Sequence, residues 1–413
     1  MPPYLELDHD LSPEMAQLKE QVHRFAAEVC RPASIELDKL DPEAVIARDS
    51  LLWDVFKKGY EQGFHTRGLP PALGGVEVGA IGNHIIAEEM GWGSADFAIA
   101  LGVTSFPFQF AAGQINEKPR LLEEVVKPFA EDRVGKYVGC WAITEPMHGS
   151  DTLMMGTEFY RDPNVWWGVT ATLDGDEWVL NGQKSAWVSN GTIATHALTF
   201  LGINRDKGMG GGGVALVPLD LPGVTKGKPL NKLGQRALNQ GEIFFDNARI
   251  PADYMLATPE VYPIVIDMTL ATANAFMGAT FTGLARAAFE EALKYTKARI
   301  QGGRPISEHQ LVQKKLFDMY SKVETSRQLS RAAMKYNAKA FPPATFLSIT
   351  SKVYCTQAAV EVASDAIQLH GGYGLAKEFI VEKLFRDARA ALIEDGSNDV
   401  LSLAAARQII DRL

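Results

Sequence analysis

Apolar residues recur along this chain with two different periods, and the period changes twice. Ser12-Pro13-Glu14 reads as an N-cap with proline at the first helical position, and Leu18, Val22, Phe25 and Val29 follow at helical spacing. This stripe predicts a helix that stops before Pro32. Leu52-Trp53, Val55-Phe56 and Tyr60 predict a second helix, closed by Gly63. After a Pro/Gly-rich connection, helices are expected at about 80–90, 95–114 and 119–131.

At Lys136 the period drops to two. Tyr137 to Ile143 reads as a short apolar strand and Val169 to Leu173 alternates. Asp174-Gly175 turns the chain into Glu177-Trp-Val-Leu, and Asn181-Gly182 reads as a further turn. Residues 197–202, 213–218 and 242–245 are further strand candidates. Gly208-Met-Gly-Gly-Gly-Gly reads as a flexible surface loop, since it lacks the lysine and the strand-to-helix setting of a phosphate loop. Beyond Pro251 the helical period returns over about 264–300, 307–341, 343–370 and after Asn398, with Ser307-Glu-His-Gln in the form of a capping box. The expectation is an α+β multidomain protein: an N-terminal α-helical domain (1–135), a middle antiparallel β-barrel or sandwich (136–253) and a C-terminal four-helix bundle (254–413).

Composition excludes several function classes. The 413 residues exceed what one hydrophobic core usually serves, and 46% apolar with 22% charged is ordinary for a soluble protein. A net charge of −9 without basic runs argues against nucleic acid or an anionic membrane as partner. Cys30, Cys140 and Cys355 form neither a CxxC pair nor a disulfide framework, which fits reduced thiols of a cytoplasmic protein, and no metal site is expected. Met1 to Asp10 carries no secretory or mitochondrial signal, and no uninterrupted apolar run long enough to span a bilayer is expected.

The chemistry gathers in four motifs. Near the C-terminus, Gln368-Leu-His-Gly-Gly-Tyr-Gly ends a helix at two residues that permit close approach of a ligand, and Val381-Glu-Lys-Leu-Phe-Arg-Asp and Ile393-Glu-Asp-Gly-Ser follow. Upstream stand Ala142-Ile-Thr-Glu-Pro-Met-His-Gly-Ser-Asp151, Asn181-Gly-Gln-Lys-Ser-Ala-Trp-Val-Ser-Asn190, and Arg299 through Pro305 with Gln310. In this order and spacing they resemble the T-E-P-x-x-G-S-D, N-G-x-K-x-W-I-T-N, R-x-x-F-G-x-P…Q and C-terminal signatures of the acyl-CoA dehydrogenase family. The resemblance spans the whole chain.

That resemblance implies FAD as cofactor. Trp141, Ile143, Thr144, Ser150, Trp187, Ser189 and Ser397 would contact it; Trp187 and Ser189, alternating on a strand edge, would face the isoalloxazine ring. The competing readings are a turn that merely ends a strand and a core tryptophan. Arg299, Gln310, Gln368, Gly371 and Gly372 would reach FAD bound mainly by a neighbouring subunit, which implies a homo-oligomer, commonly a dimer of dimers. An electron-transferring flavoprotein is the implied electron acceptor. Gly302 stands where the family has phenylalanine, and Arg386-Asp387 reads as a structural ion pair.

The implied reaction removes the thioester α-proton while hydride leaves the β-carbon for the flavin. A desolvated carboxylate with a raised pKa suits the first event. Here the family's I-Y-E-G-T is Ile393-Glu-Asp-Gly-Ser, which puts Asp395 in the place of glutamate and sends Glu394 elsewhere. The region that carries the base in some relatives, Ala271-Thr-Ala-Asn-Ala, contains no acid. One methylene fewer retracts the carboxylate by at most about 1.5 Å, so a bulky, branched or alicyclic acyl group seated closer to Asp395 is expected. Asp96 is either a second acid for a cyclic substrate or a solvated helix residue, and His148 is unassigned. The alternatives are altered chemistry on the same fold (1,4-desaturation of a cyclic enoyl-CoA, an oxidase or a desulfinase) and a degenerate, non-catalytic flavoprotein.

Overall fold

The computed structural model describes residues 11–155 and 157–412. Met1 to Asp10, read above for targeting signals, lies outside the described residues. The first third is helical: α1 (Pro13–Phe25), α2 (Arg31–Leu37), α3 (Pro42–Val45), α4 (Leu51–Glu61), α5 (Gly79–Gly93), α6 (Ala95–Thr104), α7 (Phe106–Ala112), α8 (Pro119–Leu121) and α9 (Lys127–Glu131). The Ser12 hydroxyl caps α1 by accepting from Met15 N–H (3.3 Å). Pro32 does not end this helix as expected. A π-turn over Ala26–Cys30 relaxes the backbone ahead of it, and α2 carries the chain on to Leu37.

The middle third is a sheet of β1 (Gly139–Ala142), β2 (Thr170–Asp174), β3 (Glu177–Lys184), β4 (His196–Gly202), β5 (Gly212–Pro218), β6 (Val224–Lys226), β7 (Ile243–Pro251) and β8 (Met255–Ala257). The order is β6-β7-β3-β2-β4-β5-β8, with β1 parallel to β4 and the remaining pairs antiparallel except the single β2–β4 contact. The expected barrel is not closed, because β6 and β8 end the sheet without pairing to each other. Asn181-Gly182 is not a turn: it is a bulge inside β3, where Gly182 adopts φ +127° and a Cβ would lie 2.3 Å from the Gly168 carbonyl oxygen. The glycine-rich segment is likewise packed rather than loose. Met209 is buried, its carbonyl accepts the Trp167 indole N–H (3.0 Å), and a Cβ on Gly211 would lie 1.8 Å from the Asn204 oxygen.

The last third comprises α10 (Tyr262–Ala298), α11 (Gln310–Asn337), α12 (Thr345–His370), α13 (Val381–Ala390) and α14 (Asn398–Arg412). The expected capping box does not form. Ile306–Glu308 turns as a 3₁₀ segment, so His309, not Ser307, precedes the helix. Gly302 and Gly303 both have positive φ (+64° and +80°) in the turn between Ile300–Gln301 and Arg304–Pro305, a conformation that explains glycine where phenylalanine was expected.

Segments Ala95–Ala112 and Tyr262–Ala298 are long and apolar enough to cross a membrane by length and composition, although Asp96 and Asp267 interrupt them; both are mostly buried, as core helices are. Helix α10 packs against α5, α11 and α12. Its closest approach to α5 rests on two glycines: a Cβ on Gly91 would meet the Thr280 oxygen at 2.0 Å, and one on Gly283 the Glu88 oxygen at 1.9 Å. Between the same helices Arg286 donates to Glu88 and Glu89 (both 2.8 Å), and Arg327 from α11 donates to Glu88 as well (2.7 Å). Alanine normally favours a helix over glycine by about 1 kcal/mol. Gly283→Ala is nonetheless expected to destabilise by about 1–3 kcal/mol, because the helices must part; a guanidinium midpoint at or above wild type would contradict this packing.

Candidate active site

A cleft of about 770 Å³ opens between loops at the end of the sheet and the chain that follows α13. Trp141, Ile143, Thr144, Ser150, Trp187 and Ser189 line it together with Glu394, Asp395 and Gly396. Trp141 is fixed by ring contacts to Phe106 and Phe200 (centroids 5.7 and 6.2 Å). Its buried indole N–H has no partner among the described residues. Such an orphaned donor beside a cleft marks a place for a polar ligand edge.

Two motifs meet through a buried ion pair that the sequence did not reveal. Lys184 Nζ donates to Glu145 Oε1 (2.7 Å) and to the Ile143 carbonyl (3.0 Å), while Glu145 also accepts from the Gly168 and Val169 N–H groups (2.5 and 3.0 Å). His148, unassigned from sequence, pins the same turn. Its Nε2 lies 2.8 Å from the Trp166 carbonyl, and its Nδ1 lies 2.7 Å from Asp151 Oδ2. Trp187 and Ser189 do not alternate on a strand as expected. Strand β3 stops at Lys184, and Ser185-Ala186 lead into a turn in which Trp187 N–H points to Ser185 Oγ (3.4 Å). Both side chains nevertheless face the cleft; Trp187 is 58% exposed there, and Ser189 Oγ accepts from Gln240 (3.3 Å).

The acids of the lining come from a tight turn with Asp395 at φ +53° and Gly396 at φ +97°. Burial in the cleft pushes Asp395 up to about 6, against the opposing charge of Lys352. Glu394 does not point elsewhere. It lines the same cleft, with Oε1 2.5 Å from Gln235 Nε2, and burial followed by the neighbouring Asp395 raises it to about 7 against that hydrogen bond. Gln235 is itself in the left-handed region (φ +49°) and tied to Asp387, its N–H 2.5 Å from Oδ1. Ser397 N–H donates to Ser150 Oγ (2.9 Å), so Ser397 joins the acid-bearing turn to the sheet.

Several sequence-predicted residues lie away from this cleft. Arg299, Gln310, Gln368, Gly371 and Gly372 are exposed, with the Arg299 guanidinium 5.9 Å above the Tyr373 ring. Nothing lies within 4 Å of a Cβ on Gly371 or Gly372. Asp96 is neither a cleft acid nor solvated. It is fully buried and accepts from Ser34 (3.0 Å), Phe97 N–H (2.9 Å), Ala237 N–H (3.2 Å) and Lys383 (3.3 Å). Burial alone would raise its pKa, but Lys383 and these donors hold it below the ordinary aspartate value. Arg386 and Asp387 do not pair with each other: Arg386 binds Asp38 (2.6 Å) and Glu382 (2.7 Å), and Asp387 binds Lys383 (2.6 Å).

A cleft of this volume, with a tryptophan face, an unpartnered indole donor and hydroxyls along one wall, suits a flat heterocycle with polar edges. Residues 12–128, 140–248 and 264–410 match the N-terminal, middle and C-terminal domains of acyl-CoA dehydrogenases. The chain belongs to the acyl-CoA dehydrogenase family, whose members are FAD-dependent oxidoreductases. It is 30% identical to a cyclohexane-1-carbonyl-CoA dehydrogenase of Geobacter metallireducens, over 97% of this chain and 98% of that one. It is 31% identical to the bovine mitochondrial short-chain specific acyl-CoA dehydrogenase, over 96% and 90%. The butyryl-CoA dehydrogenase of Megasphaera elsdenii has the same fold, with a TM-score of 0.82 at 24% identity over 98% of this chain and 100% of that one.

Lys184→Met leaves Glu145 buried without its cation. It is expected to cost about 3–5 kcal/mol, with much of the loss recovered in the Lys184→Met/Glu145→Gln double variant. Additive losses in chemical denaturation would show that the pair is not coupled.

Proposed function

We propose that this protein desaturates an acyl-CoA thioester between its α- and β-carbons, with Asp395 as the base. The observation that carries the reading is that Asp395 lines the same cleft as Trp141, Thr144 and Trp187 and is raised to about 6 by burial. Asp395 takes the α-proton, and the electron pair left behind becomes the new double bond. Its backbone N–H is assigned to the thioester oxygen, which acidifies that proton. Bound FAD supplies the acceptor for the departing hydride. Trp141, Ile143, Thr144, Ser150, Trp187, Ser189 and Ser397 hold FAD from this chain, while the outward-facing Arg299, Gln310, Gln368, Gly371 and Gly372 reach the FAD of a neighbouring subunit. This assignment makes the working form a homo-oligomer, a dimer of dimers, which hands electrons to an electron-transferring flavoprotein.

The substrate is proposed to be bulky, branched or alicyclic. The short reach of Asp395 supports this, as does the likeness to a cyclohexane-1-carbonyl-CoA dehydrogenase. Glu394, the second acid of the cleft, also favours a further reading, 1,4-desaturation of a cyclic enoyl-CoA.

Anaerobic mixing of the flavin-loaded enzyme with a thioester panel tests the substrate assignment. Cyclohexane-carbonyl-CoA is expected to bleach the flavin about a hundredfold more efficiently than butyryl-CoA, the cost of about 1 Å of misplacement; equal efficiencies would remove the bulky-substrate reading. Asp395→Asn is expected to lower kcat/KM about a thousandfold with FAD content unchanged. Because the base acts when ionised, activity in the wild type is expected to fall as pH drops through about 6. A flat profile from about pH 5 to about pH 7, roughly one unit on either side of that value, would remove Asp395 from the role.

A further inference from the structure

The turn that presents Asp395 is held from two sides. From the short 3₁₀ turn after β1, Ser150 Oγ accepts the Ser397 N–H (2.9 Å). From beneath, Lys352 on α12 is fully buried, and its Nζ donates to the Gly396 carbonyl (2.7 Å) and to Asn398 Oδ1 (2.8 Å). The Asn398 amide in turn donates to Thr356 Oγ1 (3.0 Å), and the Thr356 hydroxyl donates to the Lys352 carbonyl (2.8 Å), closing a small hydrogen-bonded ring under the turn. Among the described residues the direct acceptors of Lys352 Nζ are neutral oxygens, although a buried ammonium ordinarily sits against a carboxylate, and the acids that act on its charge are Asp395 and Glu394 of the turn. Its charge is directed instead at a strained turn whose two left-handed residues are Asp395 and Gly396.

We propose that Lys352 is a positioning residue for the base: through the Gly396 carbonyl it holds the left-handed turn that aims Asp395 into the cleft, and through its charge it keeps that carboxylate ionised. The proposal rests on Asp395 being the base. The other charged or titratable groups facing the same space are Glu394 on the turn itself, Lys232 from the segment before β7, Arg386 and Arg389 from α13, and Glu145 and His148 from the turn after β1. Lys352 is the cation that opposes the rise of Asp395 caused by burial. Removing it takes support from the ionised form, so Asp395 must titrate higher than about 6, and the acidic limb of kcat/KM must move to higher pH.

Two flavin-loaded variants separate the two roles. Lys352→Gln keeps a donor for the Gly396 carbonyl but drops the charge, whereas Lys352→Met drops both. Both are expected to move the acidic limb upward by about one pH unit, and only the Met variant is expected to lose about tenfold in the plateau rate. Infrared titration of the protonated carboxyl band that disappears in Asp395→Asn provides a readout independent of turnover, and its midpoint should move the same way. A Gln variant with wild-type FAD content and circular dichroism that titrates Asp395 at the wild-type midpoint would overturn the proposal. If the Met variant fails to fold, the Gln variant decides. If Asp395→Asn retains turnover, the base assignment fails, and the infrared midpoint still judges whether Lys352 governs that carboxyl.

Discussion

The ion pair between Glu145 and Lys184 is the constraint on which the sheet side of the cleft depends. It joins the turn after β1 to the end of β3, segments that the sheet order does not make neighbours. Because Glu145 also accepts two backbone N–H groups and Lys184 also donates to a carbonyl, neither charge is left half-satisfied in the interior. Trp187 follows Lys184 by three residues, and Ile143 and Thr144 immediately precede Glu145. The pair therefore fixes the spacing between the aromatic face and the polar edge of the cleft.

The helical side is organised differently. There a strained turn, not an ion pair, supplies the functional group; it is held by Ser150 in the 3₁₀ turn after β1 and by Lys352 on α12, while Gln235 in the segment before β7 holds the neighbouring Glu394 side chain. Gln235 and Asp395 both occupy left-handed backbone conformations, which residues other than glycine adopt at a cost of about 1–2 kcal/mol each. Two such residues meeting across one cleft is the pattern expected where surrounding packing over-determines a functional geometry.

Much of this architecture was legible in the chain. The period-two stretches became strands and the long apolar periods became helices, because both patterns report directly on which face is buried. The gathering of Thr144, Ser150, Trp187, Ser189 and Asp395 at one cleft is what the resemblance to the family implied. What escaped shares one cause: local words with more than one structural meaning, or partners far apart in sequence. Asn181-Gly182 serves a bulge as well as a hairpin, and Pro32 sits inside a continuing helix once a π-turn loosens the backbone before it. Asp96 could not be read as a buried, saturated carboxylate because Ser34 and Lys383 lie 62 and 287 residues away. Glu394 entered the cleft because the turn at Asp395-Gly396 redirects the chain, which spacing along a regular element does not anticipate.

The left-handed conformation of Asp395 also bears on how this site can diverge. Aspartate and asparagine enter that backbone region far more readily than longer side chains do, since a short polar group can settle against its own main chain. The shorter acid and the unusual turn are thus mutually compatible choices, and each makes the other easier to retain. One more methylene of reach at this position would set a longer side chain at φ +53°, a conformation it adopts less readily, so reach and backbone path cannot be varied independently here.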